Sequence, residues 1–92
     1  MVEIVWTEPA LAELDAIADY IALDKPSAAN RFVQRVFSSV ERLGLFPESG
    51  SRIPEMRKSA YRQLVIAPCR IFYRLEGKRL FISIRDAGRK AV

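Results

Sequence analysis

Apolar residues recur along this chain with two periods, and the change from one to the other divides it into elements. "VEIVW" alternates and is rich in β-branched residues, which predicts a short first strand. From Thr7 onward the period becomes helical. Leu11, Leu14, Ala18 and Ile21 form a stripe flanked by Ile17, while Glu13, Asp15 and Asp19 lie away from it. Thr7 offers a hydroxyl N-cap, and Glu8 and Pro9 suit a first helical turn. The expected helix runs from Glu8 to Leu23.

"DKP" ends that helix, and Pro26 opens a second. Ala29, Phe32, Val33, Val36, Val40 and Leu43 continue one stripe, with Gly44 expected at C′ and Pro47 blocking continuation. So short a connection predicts an antiparallel helical hairpin. "PESGSRIPE" reads as a loop. Three strands then follow, "YRQLVIA", "CRIFYRL" and "RLFISIR", with Glu76 and Gly77 expected in the turn between the last two.

Period-two logic assigns the faces of these strands. Ile71, Tyr73 and Leu75 should lie beneath the helices, opposite Leu80, Ile82 and Ile84, and Leu64 and Ile66 should join them. Arg62 shares that parity, as a rim residue or a paired buried guanidinium. The other face carries Arg70, Phe72 and Arg74 beside Phe81, Ser83 and Arg85. The predicted architecture is α+β, in the order βααβββ: a helical hairpin on one face of a mostly antiparallel sheet, as one domain over residues 1–92.

Charge sharpens this picture. The chain has 15 basic and 11 acidic residues, a net +4. From Met1 to Glu48, four basic residues stand against eight acidic ones, or −4; from Ser49 to Val92, eleven stand against three, or +8. The second half therefore favours an acidic or polyanionic partner. A basic sheet face holding two phenylalanines suits an amphipathic acidic segment, a phosphate backbone or stacked bases; alternatively, arginine stems simply shield the rings.

Histidine is absent from the sequence. That removes the usual general base at neutral pH, the Ser-His and Cys-His nucleophile pairs and most zinc sites. A lone cysteine, Cys69, forms no intramolecular disulfide, and its place at a strand start after a proline predicts a small buried apolar residue. No apolar run is long enough for a membrane span, and the acidic N-terminus is unlike a signal peptide. The expectations are a cytoplasmic protein with no cofactor, metal or membrane partner.

Three segments together resemble a known family: "WTEPALAELDAIADYI", "KPSAANRFVQRVFSSVERLGLFPESGSRIPEMR" and "YRQLVIAPCRIFYRLEGKRLFISIRDAGRK". The resemblance is to the ParE branch of the RelE/ParE toxins of bacterial type II toxin–antitoxin modules. It covers nearly the whole chain, and the terminal "GRK" is similar to a Gly-Arg-Arg ending common there. The resemblance implies the same βααβββ fold. RelE-like members cut mRNA in the ribosome, using basic residues plus a tyrosine, histidine or glutamate near the chain end. ParE-like members lack those groups and poison DNA gyrase, stabilising the state that holds cleaved DNA. This chain ends "SIRDAGRKAV", with Ala87 where many relatives carry histidine.

The resemblance thus implies a non-catalytic gyrase poison, with Arg85, Arg89 and Lys90 expected at the toxic contact. It also implies a ParD-like antitoxin whose acidic, amphipathic tail would bind Arg70, Phe72, Arg74, Phe81 and Arg85. DNA would be reached only through the antitoxin or gyrase. One alternative is a ribosome-dependent endoribonuclease in which Arg57, Arg62 and Arg74 hold the scissile phosphate and Tyr61 or Glu55 transfers the proton. Another is an antitoxin-binding co-repressor whose toxicity has decayed.

Overall fold

A single hydroxyl joins the first helix to the sheet. In the computed structural model, which describes residues 2–54 and 60–86, Thr7 Oγ1 accepts a hydrogen bond from the Ala10 N–H at 3.2 Å and donates to the Ile82 carbonyl at 3.1 Å. It therefore caps helix α1 (Glu8–Asp24) and ties it to the last strand. Ala10, Leu14 and Ile17 are buried, with Ile21 packed beside them, whereas Leu11 is 39% exposed. The buried stripe is thus rotated from the expected one toward Ala10. Small size lets that alanine approach the sheet next to the cap.

Helix α2 (Pro26–Leu45) follows after Lys25 and buries Ala29, Phe32, Val36, Val40 and Leu43. Gly44 is not the C′ residue expected from the sequence. It lies buried within the helix, which is capped at Phe46, and its carbonyl accepts a hydrogen bond from the Val2 N–H at 3.2 Å. Contact with the first strand thus stabilises a last turn that glycine alone would have ended.

The sheet has five strands, ordered β1-β5-β4-β3-β2. They are β1 (Glu3–Trp6), β2 (Ser51–Arg52), β3 (Arg62–Ile66), β4 (Cys69–Glu76) and β5 (Arg79–Asp86). β1 runs parallel to β5, and the other pairings are antiparallel. This is the predicted βααβββ architecture with one addition: β2, two residues inside the expected loop, pairs with β3. Two residues carry no periodicity, so this strand exists only because β3 offers it an edge.

The β4–β5 turn is one residue later than expected. Glu76 pairs with Arg79, leaving Gly77 and Lys78 as the loop, with Gly77 at φ 61. Positive φ at the first loop residue only is the pattern of a II′ hairpin. The expected face sets are present, and the shifted turn pairs them as Ile71 with Ile84, Tyr73 with Ile82, and Leu75 with Leu80. All of these are buried except Leu75, which is 39% exposed because it lies near the hairpin tip. Ile66 is buried and Leu64 packs against the core as expected.

Cys69 is fully buried, and its thiol is pushed up to about 11 by burial, then by the carboxylates of Asp86 and Glu13. Tyr73 is 1% exposed, yet its hydroxyl accepts from the Gly50 N–H at 2.8 Å and donates to the Pro47 carbonyl at 2.9 Å. A Cβ at Gly50 would lie 2.7 Å from Tyr73 Cε1 and 2.8 Å from the Gln63 carbonyl oxygen. The chain between α2 and β2 is therefore fastened to the core.

Two outcomes follow. Tyr73→Phe leaves the Gly50 N–H buried without its acceptor and should cost about 1–3 kcal/mol in urea unfolding, and Gly50→Ala should also destabilise because the added methyl has no room. Cys69 ionises near 9 when unfolded but near 11 when folded. Its contribution is complete below pH 9 and is lost as pH rises toward 11. The melting temperature should fall across that window, and less steeply in Cys69→Ala.

Candidate functional site

The pleat of β4 that sends Ile71 and Tyr73 into the core sends Arg70, Phe72 and Arg74 to the opposite face. There Arg70 pairs across the strands with Arg85, Phe72 with Ser83, and Arg74 with Phe81. Phe72 and Phe81 are both half-buried. A groove of about 580 Å³ opens on this face, lined by Ile53, Tyr61, Arg70, Phe72, Ser83, Arg85 and Asp86.

Arg70 is held in place from below. Gln63, at 8% exposure, turns its side-chain oxygen to Arg70, whose Nε donates at 3.1 Å and whose Nη2 donates to the same atom. The guanidinium carbon then lies 5.1 Å from the centre of the Phe72 ring. Ile53, just beyond β2, is buried and closes one wall. Arg74 is held differently: it forms an ion pair with Glu76, and its guanidinium carbon sits 5.4 Å from the Tyr61 ring centre. Its Nε is shielded from water and meets no acceptor among the described residues. Arg85, directly opposite Arg70, is exposed and makes no ion pair with a described residue. The groove therefore presents one oriented guanidinium, one free one and an aromatic floor.

The expected site residues separate into groups. Arg70, Phe72, Arg85 and Tyr61 line one groove, with Arg74 and Phe81 beside it. Arg62 is not with them. It pairs with Tyr73 on the helix side of the sheet and donates to the carbonyls of Gly50 at 2.9 Å and Glu48 at 3.4 Å. Of the two roles its parity allowed, a rim residue or a paired buried guanidinium, it takes one between them, half-buried and bonded to backbone carbonyls, and it faces away from Arg74. Glu55, Arg57, Arg89 and Lys90 lie outside the described residues. Sequence reasoning missed Ile53 and Gln63. Gln63 shares the parity of Tyr61, which was a usable signal, whereas Ile53 reaches the groove by a loop path that periodicity does not encode.

A slightly larger cleft of about 620 Å³ lies between the start of α1 and the end of β5, walled by Thr7, Pro9, Ala10, Glu13, Arg85 and Asp86. Two of its walls are acidic, and of the expected site residues it shares only Arg85. The sheet-face groove therefore remains the candidate site. Among the described residues no group of His, Cys, Asp and Glu could hold a metal ion, and no helix is long and apolar enough to cross a membrane.

A two-helix layer on one face of a mainly antiparallel sheet, with a basic aromatic groove on the other, makes this a small α+β protein that presents one sheet face to solvent. The family model for the ParE toxin of the type II toxin–antitoxin system parDE matches residues 4–91, and this chain belongs to that family. It is similar to Toxin RelE2 of Caulobacter vibrioides, at 35% identity over 97% of this chain and 99% of the relative. It is also similar to a putative toxin of Sinorhizobium fredii, at 45% identity over 89% and 84%. Among solved structures, a chain of the chromosomal ParDE toxin–antitoxin system from P. aeruginosa superposes with a TM-score of 0.72. The identity there is 30%, covering 94% of this chain and 96% of that one.

Like charges directly opposed across strands destabilise a sheet. Arg85→Gln should therefore leave the free protein as stable as the original or more stable, by a few tenths of a kcal/mol, with the gain shrinking as salt rises. Urea titrations at low and high salt read this difference.

Proposed function

We propose that this chain is the toxin of a type II toxin–antitoxin pair, that it acts as a gyrase poison, and that a ParD-like antitoxin neutralises it. Family membership supports the toxin class. The observation that carries the finer reading is the groove itself, which offers guanidinium groups and aromatic faces but contains neither histidine nor a basic side chain able to cycle a proton near pH 7. Such a surface grips; it is poorly equipped for acid–base work. Arg70 and Arg85 pair with carboxylates of the antitoxin tail by charge-assisted hydrogen bonds, while Phe72 and Phe81 take its apolar side chains. Arg74, whose charge is already paired with Glu76 and which lies over the Tyr61 ring, contributes packing more than charge. Arg85, together with Arg89 and Lys90 later in the sequence, makes the toxic contact. Gyrase, in this reading, is held with its DNA cleaved.

Tyr61 supports a second reading. It is a phenol lining the same groove as Arg70 and Arg85, the pairing of proton donor and phosphate holder that an endoribonuclease needs. Two assays separate the readings. Purified toxin should inhibit gyrase supercoiling and accumulate cleaved DNA, and supercoiling unaffected at micromolar toxin would reject the gyrase reading. Cuts within A-site codons on translating ribosomes, abolished by Tyr61→Phe, would establish the ribonuclease instead. For the antitoxin, charge reversal of Arg70 and Arg85 together should slow association with the antitoxin about tenfold or more at low salt. Stopped-flow binding checks this, and an unchanged rate would place the tail elsewhere.

A further inference from the structure

The solvent side of α2 carries a charge pattern that the sheet-face groove does not explain. Arg31, Arg35, Ser38 and Arg42 fall within an arc of about 60° at 3.6 residues per turn. Arg31, Arg35, Ser38 and Arg42 line one shallow groove of about 490 Å³ with Gln34 and Ser39. All three arginines are exposed, and none forms an ion pair with a described residue. Arginines at i and i+4 repel each other on a helix. The stripe also lies in the half of the chain with net charge −4, where acidic residues were available to neutralise it. Glu41, the nearest acid in sequence, points to the shoulder of the helix, toward the groove containing Trp6 and Phe37.

We infer that this face of α2 is a second, independent contact surface, and that its ligand is the phosphate backbone of duplex DNA. The lining chemistry decides between possible polyanions. Protein hot spots are typically aromatic or arginine side chains seated in well-packed, desolvated pockets; this groove is shallow, its arginines are exposed, and no aromatic ring lines it. Its functional groups are guanidinium, amide and hydroxyl, the set that contacts phosphate oxygens without reading sequence, carried on aliphatic stems that line much of the groove. Arg31 and Arg42 are eleven residues apart, or about 16 Å along the helix axis, which spans several successive phosphates. The helices and the groove lie on opposite sides of the sheet, so both surfaces can be occupied at once. This extends the expectation that DNA is reached only through the antitoxin or gyrase: the toxin touches the backbone of DNA that those partners bring to it. The inference does not depend on gyrase being the target.

The test is fluorescence anisotropy of the purified full-length toxin with a 30-base-pair mixed-sequence duplex as probe, from about 20 to 200 mM salt. Wild-type protein should bind in the micromolar range at the low end, with log affinity falling against log salt at a slope near −3, as three phosphate contacts require. Arg31→Gln/Arg35→Gln/Arg42→Gln should flatten the slope toward zero and weaken binding at least tenfold, with an unchanged circular dichroism spectrum. Arg70→Gln/Arg85→Gln should retain the wild-type slope. No binding by wild type at low salt would overturn the inference. So would loss of binding in the groove variant instead of the α2 variant, or binding of poly-glutamate in preference to duplex through the same three arginines.

Discussion

The pairing register of β4 with β5 is the constraint on which both the core and the site depend. Ile71 opposite Ile84 and Tyr73 opposite Ile82 put four large side chains beneath the helices. The intervening positions then have no choice but to place Arg70 opposite Arg85, Phe72 opposite Ser83, and Arg74 opposite Phe81. A slip of β4 by one residue would bury the guanidinium groups of Arg70 and Arg74 and expose Ile71 and Tyr73, a change comparable with the whole stability of a chain this size. The II′ turn at Gly77 and Lys78 holds that register at one end. Midway along β5, Thr7 bonds to the Ile82 carbonyl and ties the start of α1 to the strand.

Core and groove are also joined through Tyr73. Its ring belongs to the core, but its hydroxyl holds Pro47 and Gly50, and so sets the path by which the chain enters β2. Arg62 adds bonds to Glu48 and Gly50 from the next strand. Immediately after β2, Ile53 becomes a wall of the groove on the far side of the sheet. The candidate groove is therefore built on the sheet on one side and on a fastened loop on the other. This pre-organisation lowers the entropy cost of engaging a partner.

The arginines of this protein differ in their surroundings, and those surroundings separate their uses. Arg62 is spent on backbone carbonyls and Arg74 on Glu76 and the Tyr61 ring. Arg70 is oriented by a buried amide without being neutralised. Arg85, and the three on α2, face solvent with no described counter-charge. A net charge of +4 thus resolves into structural guanidinium groups and two separate available sets, one beside aromatic rings and one among hydroxyls.

The sequence by itself determined the helical hairpin, the three long strands and the two faces of the sheet, because periods of 3.6 and 2 repeat over enough residues to be unambiguous; the family was legible through the resemblance of three particular segments. It placed Thr7 as the cap and Arg70, Phe72 and Arg85 on one face of the sheet, whereas Tyr61 joins them in the groove only through the fold. What it left open depended on contacts between distant segments. Gly44 continues its helix because Val2 bonds to it; β2 forms because β3 has a free edge; the α1 stripe turns toward Ala10 because the cap brings that end close to β5. Ile53 enters the groove, and Arg62 leaves it, through bonds that no local pattern encodes. Tertiary structure decided these because each requires two parts of the chain to meet before either has a reason to adopt its conformation.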